Sequence, residues 1–158
     1  MITAFVEKNS VVGEIIEIKD KTELNHMKNS FRLQVGDSLR IVDGEYEYFT
    51  EIIELSKNEM ICKIIEKKED SFSTKVEIHA GIGLLKNDKM ELVIQKLVEV
   101  GVSKIIPVQM QRTIVKINEK KEKWDTIAKE ALKQCQAVKL TEITEPKALK
   151  KIDYREDE

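Results

Sequence analysis

The chain has 158 residues, enough for one substantial hydrophobic core or two small ones. Its composition, 41% hydrophobic and 35% charged, is that of a globular protein rich in Lys and Glu. No run approaches the roughly 20 apolar residues that span a bilayer, and the first residues lack the layout of a secretory signal. Cys62 and Cys135 form neither a metal-binding spacing nor a disulfide framework. We therefore expect a cytoplasmic protein with no membrane and no metal partner.

Charge is distributed unevenly along the chain. Residues 1–72 carry 10 Lys/Arg and 15 Asp/Glu, a net charge of −5, whereas residues 73–151 carry 16 and 10, a net charge of +6. The basic segment suits a polyanion, because each Lys or Arg placed near a phosphate releases condensed counterions. On charge alone, a merely solvated helix face is the more common explanation of such lysines.

The first segment has the pattern of short strands around one short helix. Strands are predicted, from β-branched and alternating residues, over 3–6, 12–18, 38–42, 46–55 and 60–66. Asp20, with Glu23 three residues later, resembles a capping box and predicts a helix from residue 21 to about 31. The Asp43-Gly44 pair is typical of a type I′ hairpin turn, which needs positive φ at both central residues. A short helix within such a meander predicts a small β-barrel.

A polar run over residues 67–73 (KKEDSFS) has no apolar rhythm and predicts a domain boundary. We therefore expect one domain over residues 1–72 and a second over residues 73–158.

The second segment alternates strands with helices. Strands are predicted over residues 75–83 and 104–110, and helices open near residues 87 and 118. One helix has its apolar stripe at Met90, Val93, Ile94, Leu97 and Val98, and the other at Trp124, Ile127, Ala128, Ala131, Leu132 and Cys135. This order predicts a parallel α/β sheet. Because two strands cannot cover two helix faces, we expect the chain to stop inside a domain and the segment to depend on a partner.

Three residues are expected to shape these elements. Asn87 or Asp88 can cap the first helix, and Gly101 can end it in a left-handed conformation. Pro107 cannot donate to a ladder and favours an edge or bulge position for the second strand.

The residues alone indicate little chemistry. His26 and His79 have no carboxylate or cysteine at metal-ligand spacing, which argues against a zinc site. Gly81 and Gly83 complete only part of a nucleotide-binding glycine pattern, and no Ser or Cys lies on a nucleophile elbow. The pattern is that of a two-domain α/β protein with a basic segment suited to RNA.

Two stretches carry a family resemblance. The first is HMKNSFRLQVGD over residues 26–37, followed by the Asp43-Gly44 turn. The second is LKNDKMELVIQKLVEVGV over residues 85–102, continued by residues 105–107, Arg112, Trp124 and Gln134. Together they resemble the bacterial 16S ribosomal RNA uridine-N3 methyltransferases, which belong to the SPOUT class of knotted, S-adenosylmethionine-dependent enzymes. Thr3 and Ala137 stand where that family usually has arginines.

The resemblance implies a PUA-like β-barrel that binds RNA, followed by the first half of a SPOUT α/β trefoil-knot domain. In that family the later half carries the knot and a Gly-Pro-Glu-Gly-Gly loop that hold S-adenosylmethionine, and this sequence contains neither. The resemblance thus implies an inactive isolated chain with no cofactor-binding residue, and a complete enzyme that is a homodimer acting on 16S rRNA of the small subunit. A non-catalytic RNA-binding module is the alternative, and a gene that continues into such a loop distinguishes the two.

Five residues are RNA-binding candidates through the resemblance: Arg32, His26, Lys86, Lys89 and Arg112. Arg32 can bind phosphate through its planar guanidinium or pair with a nearby carboxylate, and His26 can instead pack against the barrel. Lys86, Lys89 and Arg112 follow strand ends, where open α/β sheets place ligands, although they can also merely solvate loops. No residue is assigned as the catalytic base.

Overall fold

The structure, a computed structural model, describes residues 1–70, 73, 75–112 and 116–151. The chain divides into two compact units, Met1–Phe72 and Ser73–Glu158. The acidic end of the chain, residues 152–158, and residues 71–72 of the predicted boundary lie outside the described residues. None of the described helices is long and apolar enough to cross a lipid bilayer.

Six strands of the first unit form one sheet, in the order β1-β4-β5-β6-β3-β2. Their bounds are Thr3–Phe5 (β1), Val11–Val12 (β2), Ile15–Ile18 (β3), Ser38–Val42 (β4), Tyr46–Leu55 (β5) and Met60–Glu69 (β6). β1 runs parallel to β4, and the other neighbours are antiparallel. The register between β5 and β6 shifts twice, after Phe49 and after Ile52. Because such shifts bend strands, the sheet curls around its core.

The inside of the curled sheet is filled by one apolar cluster. Along β3, Ile16 and Ile18 are buried while Ile15 and Glu17 are partly exposed, the period of two that a strand with one buried face shows. The cluster consists of Ala4, Val6, Ile16, Ile18, Leu24, Met27, Leu33, Leu39, Ile41, Tyr48, Ile52, Met60 and Cys62.

The strand predicted over residues 12–18 is wrong, because the chain turns within it. Gly13 has φ 62°, in the left-handed region, and Val12 pairs with Ile15 across the resulting two-residue turn. Glycine adopts this conformation without the steric cost of a side chain, so β2 and β3 form a tight hairpin instead of one strand.

The hairpin between β4 and β5 lies where it was predicted, but the turn type is wrong. Gly44 has φ 92° and Asp43 is not among the residues with positive φ, so the type I′ conformation is absent. The Asp43 carboxylate instead accepts the N–H groups of Glu45 and Tyr46 at 2.9 and 2.8 Å and the Tyr48 hydroxyl at 2.8 Å. Burial and this hydrogen bond raise the pKa of Tyr48 well above its ordinary value, so the hydroxyl stays a donor.

The short helix begins as the capping pattern predicts. Its regular part, α1, is Lys21–Asn25, and the Asp20 carboxylate accepts the Glu23 N–H at 2.9 Å. The predicted continuation toward residue 31 is a π-helical turn over His26–Ser30.

The second unit is a parallel sheet with two helices. Its strands are His79–Gly83 (β7), Lys104–Gln109 (β8), Glu142–Ile143 (β9) and Lys147–Ala148 (β10), and its helices are Asn87–Glu99 (α2) and Glu122–Cys135 (α3). β8 pairs with β7 on one side and with β9 and β10 on the other. The first strand begins at residue 79 instead of 75, and α3 begins at residue 122 instead of 118. β9 and β10 were not predicted, because two-residue strands carry no periodicity.

Pro107 lies in the central strand, so its predicted edge position is wrong. The Ile105 carbonyl accepts the Thr144 N–H on the β9 side, and the Val108 carbonyl accepts the Leu84 N–H on the β7 side. Since successive residues of a strand point to opposite neighbours, the Pro107 nitrogen faces the β9–β10 side. There β9 pairs only as far as Ile105 and β10 begins at Val108. The missing donor therefore falls in a gap of the ladder.

The two helices pack against each other at their beginnings. Lys123 Nζ lies 2.7 Å from Glu91 Oε1, and Lys121 Nζ donates to Asn87 Oδ1 at 2.7 Å. Both apolar stripes are buried at their centres, at Met90, Ile94 and Val98 in α2 and at Trp124, Ala128, Ala131 and Leu132 in α3. The expectation that two helix faces stay uncovered is therefore wrong for these residues.

Helix termini differ in part from their prediction. Neither Asn87 nor Asp88 caps α2, whose N-cap is Lys86 without a side-chain hydrogen bond. Gly101, with φ 83°, follows the end of α2 as predicted. Cys135 is exposed at the last turn of α3, although its place in the stripe predicted burial.

Candidate RNA-binding surfaces

The first candidate surface lies where the short helix of the first unit ends. The ring centroids of His26 and Phe31 are 5.0 Å apart and their planes are inclined by 33°. His26 is half-buried, Phe31 is 45% exposed, and the next residue, Arg32, is exposed. We call His26, Phe31 and Arg32 the aromatic–arginine surface.

Local backbone geometry places this surface. Arg32 has φ 53°, a left-handed conformation that helices ordinarily assign to glycine where they end. The turn lets the Leu33 N–H donate to the Met27 carbonyl at 3.3 Å and carries the Leu33 side chain into the core. Because the chain reverses at Arg32, its guanidinium and the Phe31 ring stay outside.

The contacts of Arg32 and His26 help to decide between RNA binding and a purely structural role for each residue. Arg32 forms no ion pair with any residue that the structure describes, and the nearby Asp37 carboxylate accepts the Gln34 N–H at 2.7 Å. The guanidinium is therefore available to a ligand. His26 contacts the exposed Phe31 ring, outside the apolar cluster of the core.

The second candidate surface lies at the carboxyl edge of the parallel sheet. β7 and β8 are parallel neighbours, so the segments that follow them leave the sheet at the same edge. Lys86 follows β7, Lys89 lies in the first turn of α2, and Arg112 follows β8. All three are exposed. We call Lys86, Lys89 and Arg112 the carboxyl-edge cations.

The two edges of this sheet differ in charge balance. At the amino edge, Lys104 Nζ lies 3.3 Å from Glu142 Oε2 and His79 Nε2 lies 3.5 Å from Glu77 Oε2. None of the carboxyl-edge cations forms an ion pair within the described part of the chain. Lys121, the N-cap of α3 at this edge, donates a hydrogen bond to the neutral side-chain amide of Asn87. Three cations without an ion pair among the described residues therefore lie at the edge where open α/β sheets bind ligands.

Sequence reasoning did not single out Phe31. An apolar residue at the end of a predicted helix is ordinarily part of its buried face. Only the π-helical turn and the reversal at Arg32 turn the ring outward, and no local pattern in the sequence announces either feature.

Two family models match this chain, one in each unit. The family model described as "RNA methyltransferase domain" matches residues 72–158, and that described as "RNA methyltransferase PUA domain" matches residues 18–65. The Bacillus subtilis protein named ribosomal RNA small subunit methyltransferase E is 34% identical over 118 residues, which are 71% of this chain and 46% of that protein. A Borreliella burgdorferi protein named ribosomal RNA small subunit methyltransferase E 2 is 32% identical over 136 residues, 82% of this chain and 55% of that protein.

Solved structures share the fold. A Legionella pneumophila methyltransferase, solved with the bound cofactor SAM, is 26% identical with a TM-score of 0.81, covering 94% of this chain and 63% of its own. A Neisseria gonorrhoeae ribosomal RNA small subunit methyltransferase E, solved bound to S-adenosyl methionine, is 21% identical with a TM-score of 0.83, covering 98% and 67%. The chain spans about half the length of the curated relatives it matches, 46% and 57% of the first two. With more than half of its residues matched by the RNA methyltransferase domain, the chain belongs to the RNA methyltransferase family.

Proposed function

We propose that the whole protein transfers a methyl group from S-adenosylmethionine to N3 of a uridine in the 16S ribosomal RNA of the small subunit. The observation that carries the proposal is the match of residues 72–158 to the RNA methyltransferase domain. Relatives named as small-subunit rRNA methyltransferases support a ribosomal substrate. Because this chain spans about half of those relatives, the activity is proposed for the whole protein.

Within this proposal, residues 1–72 are a PUA-like β-barrel that recognises RNA, and residues 73–158 are the N-terminal part of a SPOUT domain. A curled sheet around one apolar cluster supports the first assignment, together with the PUA match over residues 18–65. Parallel strands with helical crossovers support the second.

The uridine N3 carries a proton and becomes a good nucleophile only when that proton is lost. A cation fixed near the ring stabilises the resulting anion. The carboxyl-edge cations, Arg112 above all, are placed to serve this role if the base enters at that edge. A guanidinium does not take up a proton, so Arg112 orients and stabilises while another group acts as the base.

S-adenosylmethionine supplies an electrophilic methyl group on a positively charged sulfur. No described residue is assigned to the donor, because the family resemblance implies that the donor is held by a loop and a knot that these 158 residues do not contain. Calorimetric titration of the 158-residue chain with S-adenosylmethionine is expected to show no one-to-one binding in the micromolar range. Such binding would place a donor site within these 158 residues and contradict that assignment.

Gene deletion tests the function of the whole protein. A methyl group at N3 blocks the Watson–Crick edge of uridine and stops reverse transcriptase. Deletion is expected to remove one such stop from 16S rRNA, and the intact gene is expected to restore it. Unchanged stops and unchanged N3-methyluridine in digested 16S rRNA would contradict the proposal.

A non-catalytic RNA-binding module is the second candidate. It is favoured by the character of both candidate surfaces, whose members are cations and aromatic rings without an assigned base. Unchanged N3-methyluridine after deletion, together with RNA binding by the purified chain, would support this module over the enzyme.

We further propose that the whole protein is a cytoplasmic homodimer. Exposed apolar side chains on α2 and just after it, Leu92 at 54% and Val100 at 69%, provide apolar area that association can bury. Sedimentation equilibrium of the whole protein is expected to give twice the chain mass, and cell fractionation is expected to recover it with the ribosomal subunits. A strictly monomeric mass contradicts the dimer.

A further inference from the structure

We propose that Phe31, supported by His26, is a stacking platform for one unpaired RNA base, and that Arg32 holds the phosphate beside it. The inference rests on the proposed RNA-binding function and adds the class of RNA that the first unit takes. That class is single-stranded RNA, because a base within a duplex has both faces covered by its neighbours.

Exposure singles out Phe31 among the described aromatic rings. It is 45% exposed, whereas Trp124 and Tyr48 are each 2% exposed. Three other described rings of the curled sheet, Phe5, Tyr46 and Phe49, are partly exposed. The last two lie under lysines, with Lys67 Nζ 3.5 Å from the Tyr46 centroid and Lys68 Nζ 4.7 Å from the Phe49 centroid. Phe31 has the His26 ring beside it and is more exposed than any of these rings. A supported, half-exposed ring is what sequence-tolerant base stacking requires.

The backbone at Arg32 supports a role beyond folding. Glycine meets the demand of a left-handed helix end without strain, and a residue with a side chain does so only at a cost. Arg32 adopts the left-handed conformation despite this steric cost, and its guanidinium follows directly after the exposed Phe31 ring. A base and its phosphate are adjacent in a nucleotide, as Phe31 and Arg32 are in this chain, and arginine is a common phosphate contact.

The net negative charge of the first unit limits the ways in which it can bind RNA. Residues 1–72 carry a net charge of −5, which repels a polyanion at a distance. Affinity at this surface must therefore come from short-range contacts. Stacking of a neutral ring releases no counterions, so it contributes affinity that does not depend on salt.

Fluorescence anisotropy of the 158-residue chain with a labelled 12-nucleotide oligouridylate, repeated over a salt series, tests the platform. We expect Phe31→Leu to raise Kd by roughly 5- to 150-fold with an unchanged salt slope, the range that loss of one stacked base gives. Phe31→Trp should retain the parent affinity, because indole also stacks. Ile53→Ala is the matched control, since Ile53 is 40% exposed in the same unit and should leave Kd unchanged.

A direct readout accompanies the affinities. The protein has four phenylalanines, so labelling with 4-fluorophenylalanine gives four fluorine signals, and the one missing in Phe31→Leu belongs to Phe31. We expect that signal to shift on addition of oligouridylate and not on addition of a 12-base-pair RNA duplex.

Different failures have different meanings. If the parent binds oligouridylate and Phe31→Leu binds it equally well, the platform is overturned while RNA binding stands, and a protein partner becomes the explanation of the exposed ring. If the parent binds no RNA at any salt concentration, the proposed RNA-binding function falls and the platform falls with it.

Discussion

The two units of the chain offer RNA opposite kinds of surface. The first carries a net charge of −5 over residues 1–72 and presents the exposed Phe31 ring beside Arg32, which forms no ion pair with a described residue. The second carries +6 over residues 73–151 and presents the carboxyl-edge cations, which likewise form no ion pair among the described residues. The first can therefore bind only through close contacts, of which stacking is independent of salt, and the second attracts a polyanion from a distance. Short-range contact and long-range attraction are thus assigned to separate units.

The units also differ in how they treat polar groups. The first buries an ion pair, with Arg40 Nε 2.8 Å from Glu47 Oε2 and exposures of only 7% and 9%. Described pairs of the second unit, such as Lys104–Glu142, keep a partner in water, with exposures of 33% and 61%. Removal of one partner should therefore matter far more in the first unit.

The largest expected difference concerns the two cysteines. Cys62 is buried in the first unit, where burial raises the pKa of its thiol to about 11, while Cys135 is exposed in the second. At pH 8 we expect iodoacetamide to label Cys62 at least about 1,000-fold more slowly than Cys135, since its labelling waits for unfolding. Mass spectrometry of tryptic peptides over time measures both rates. Similar rates would show that the first unit opens readily.

Glu47→Ala should destabilise the first unit by about 3–5 kcal/mol, because it removes the carboxylate that pairs with the buried Arg40 charge. Glu142→Ala should cost the second unit about 1 kcal/mol or less. Amide exchange of β4 and β5 reports the first unit, and fluorescence of Trp124, the single tryptophan, reports the second. The double variant Arg40→Met with Glu47→Leu should recover most of the loss. A loss of stability in Glu142→Ala as large as that in Glu47→Ala would contradict this difference between the two units.

Arg32→Gly should raise the stability of the first unit by about 1 kcal/mol, because glycine adopts the left-handed conformation without strain. The same variant should weaken oligouridylate binding, because the guanidinium is lost. Arg32→Ala is the matched control and should weaken binding without the gain in stability. Thermal unfolding and anisotropy separate the two effects. Binding equal to the parent in both variants would leave the strain at Arg32 without a function.

Lys89→Ala should have the smallest effect, a decrease of about one in the slope of log Kd against log salt. The lysine contributes to attraction by the carboxyl edge and makes no ion pair within the described residues. Lys104→Ala, at the amino edge and paired with Glu142, should leave the slope unchanged. Equal slopes in the two variants would mean that RNA does not distinguish the edges.

Sequence patterns predicted those parts of the fold where local preference and tertiary packing agree. β4 and β5 lie at their predicted bounds, because their β-branched and aromatic residues favour extended strands and the turn between them lies at Asp43-Gly44. The cap at Asp20 and the left-handed end at Gly101 are local events and were predicted from single residues. The turn at Gly13 was not predicted, because the β-branched residues before and after it favour one continuous strand.

The candidate surfaces were only partly predictable. The positions of Lys86 and Arg112 after strands were predictable, because strand ends can be placed from sequence, and the pairing of β7 with β8 puts both at one edge. Their RNA-binding role stays a prediction. Phe31 was missed because its exposure depends on the π-helical turn before it and the reversal after it. Burial of α2 against α3 was missed because amphipathic stripes do not tell which surfaces they cover.

Pro107, in the central strand β8, also limits the registers in which β9 and β10 can pair with that strand. Parallel strands with similar apolar residues can slide along each other, and a slip replaces every cross-strand neighbour. At Pro107 the strand offers no donor on that side, so any carbonyl moved opposite it loses its hydrogen bond in a buried position. β9 and β10 are thereby confined to either side of it, and the chain between them must leave the sheet. Pro107, which has no N–H, thus fixes the register of β9 and β10, two strands that are too short to fix it by their own pairing.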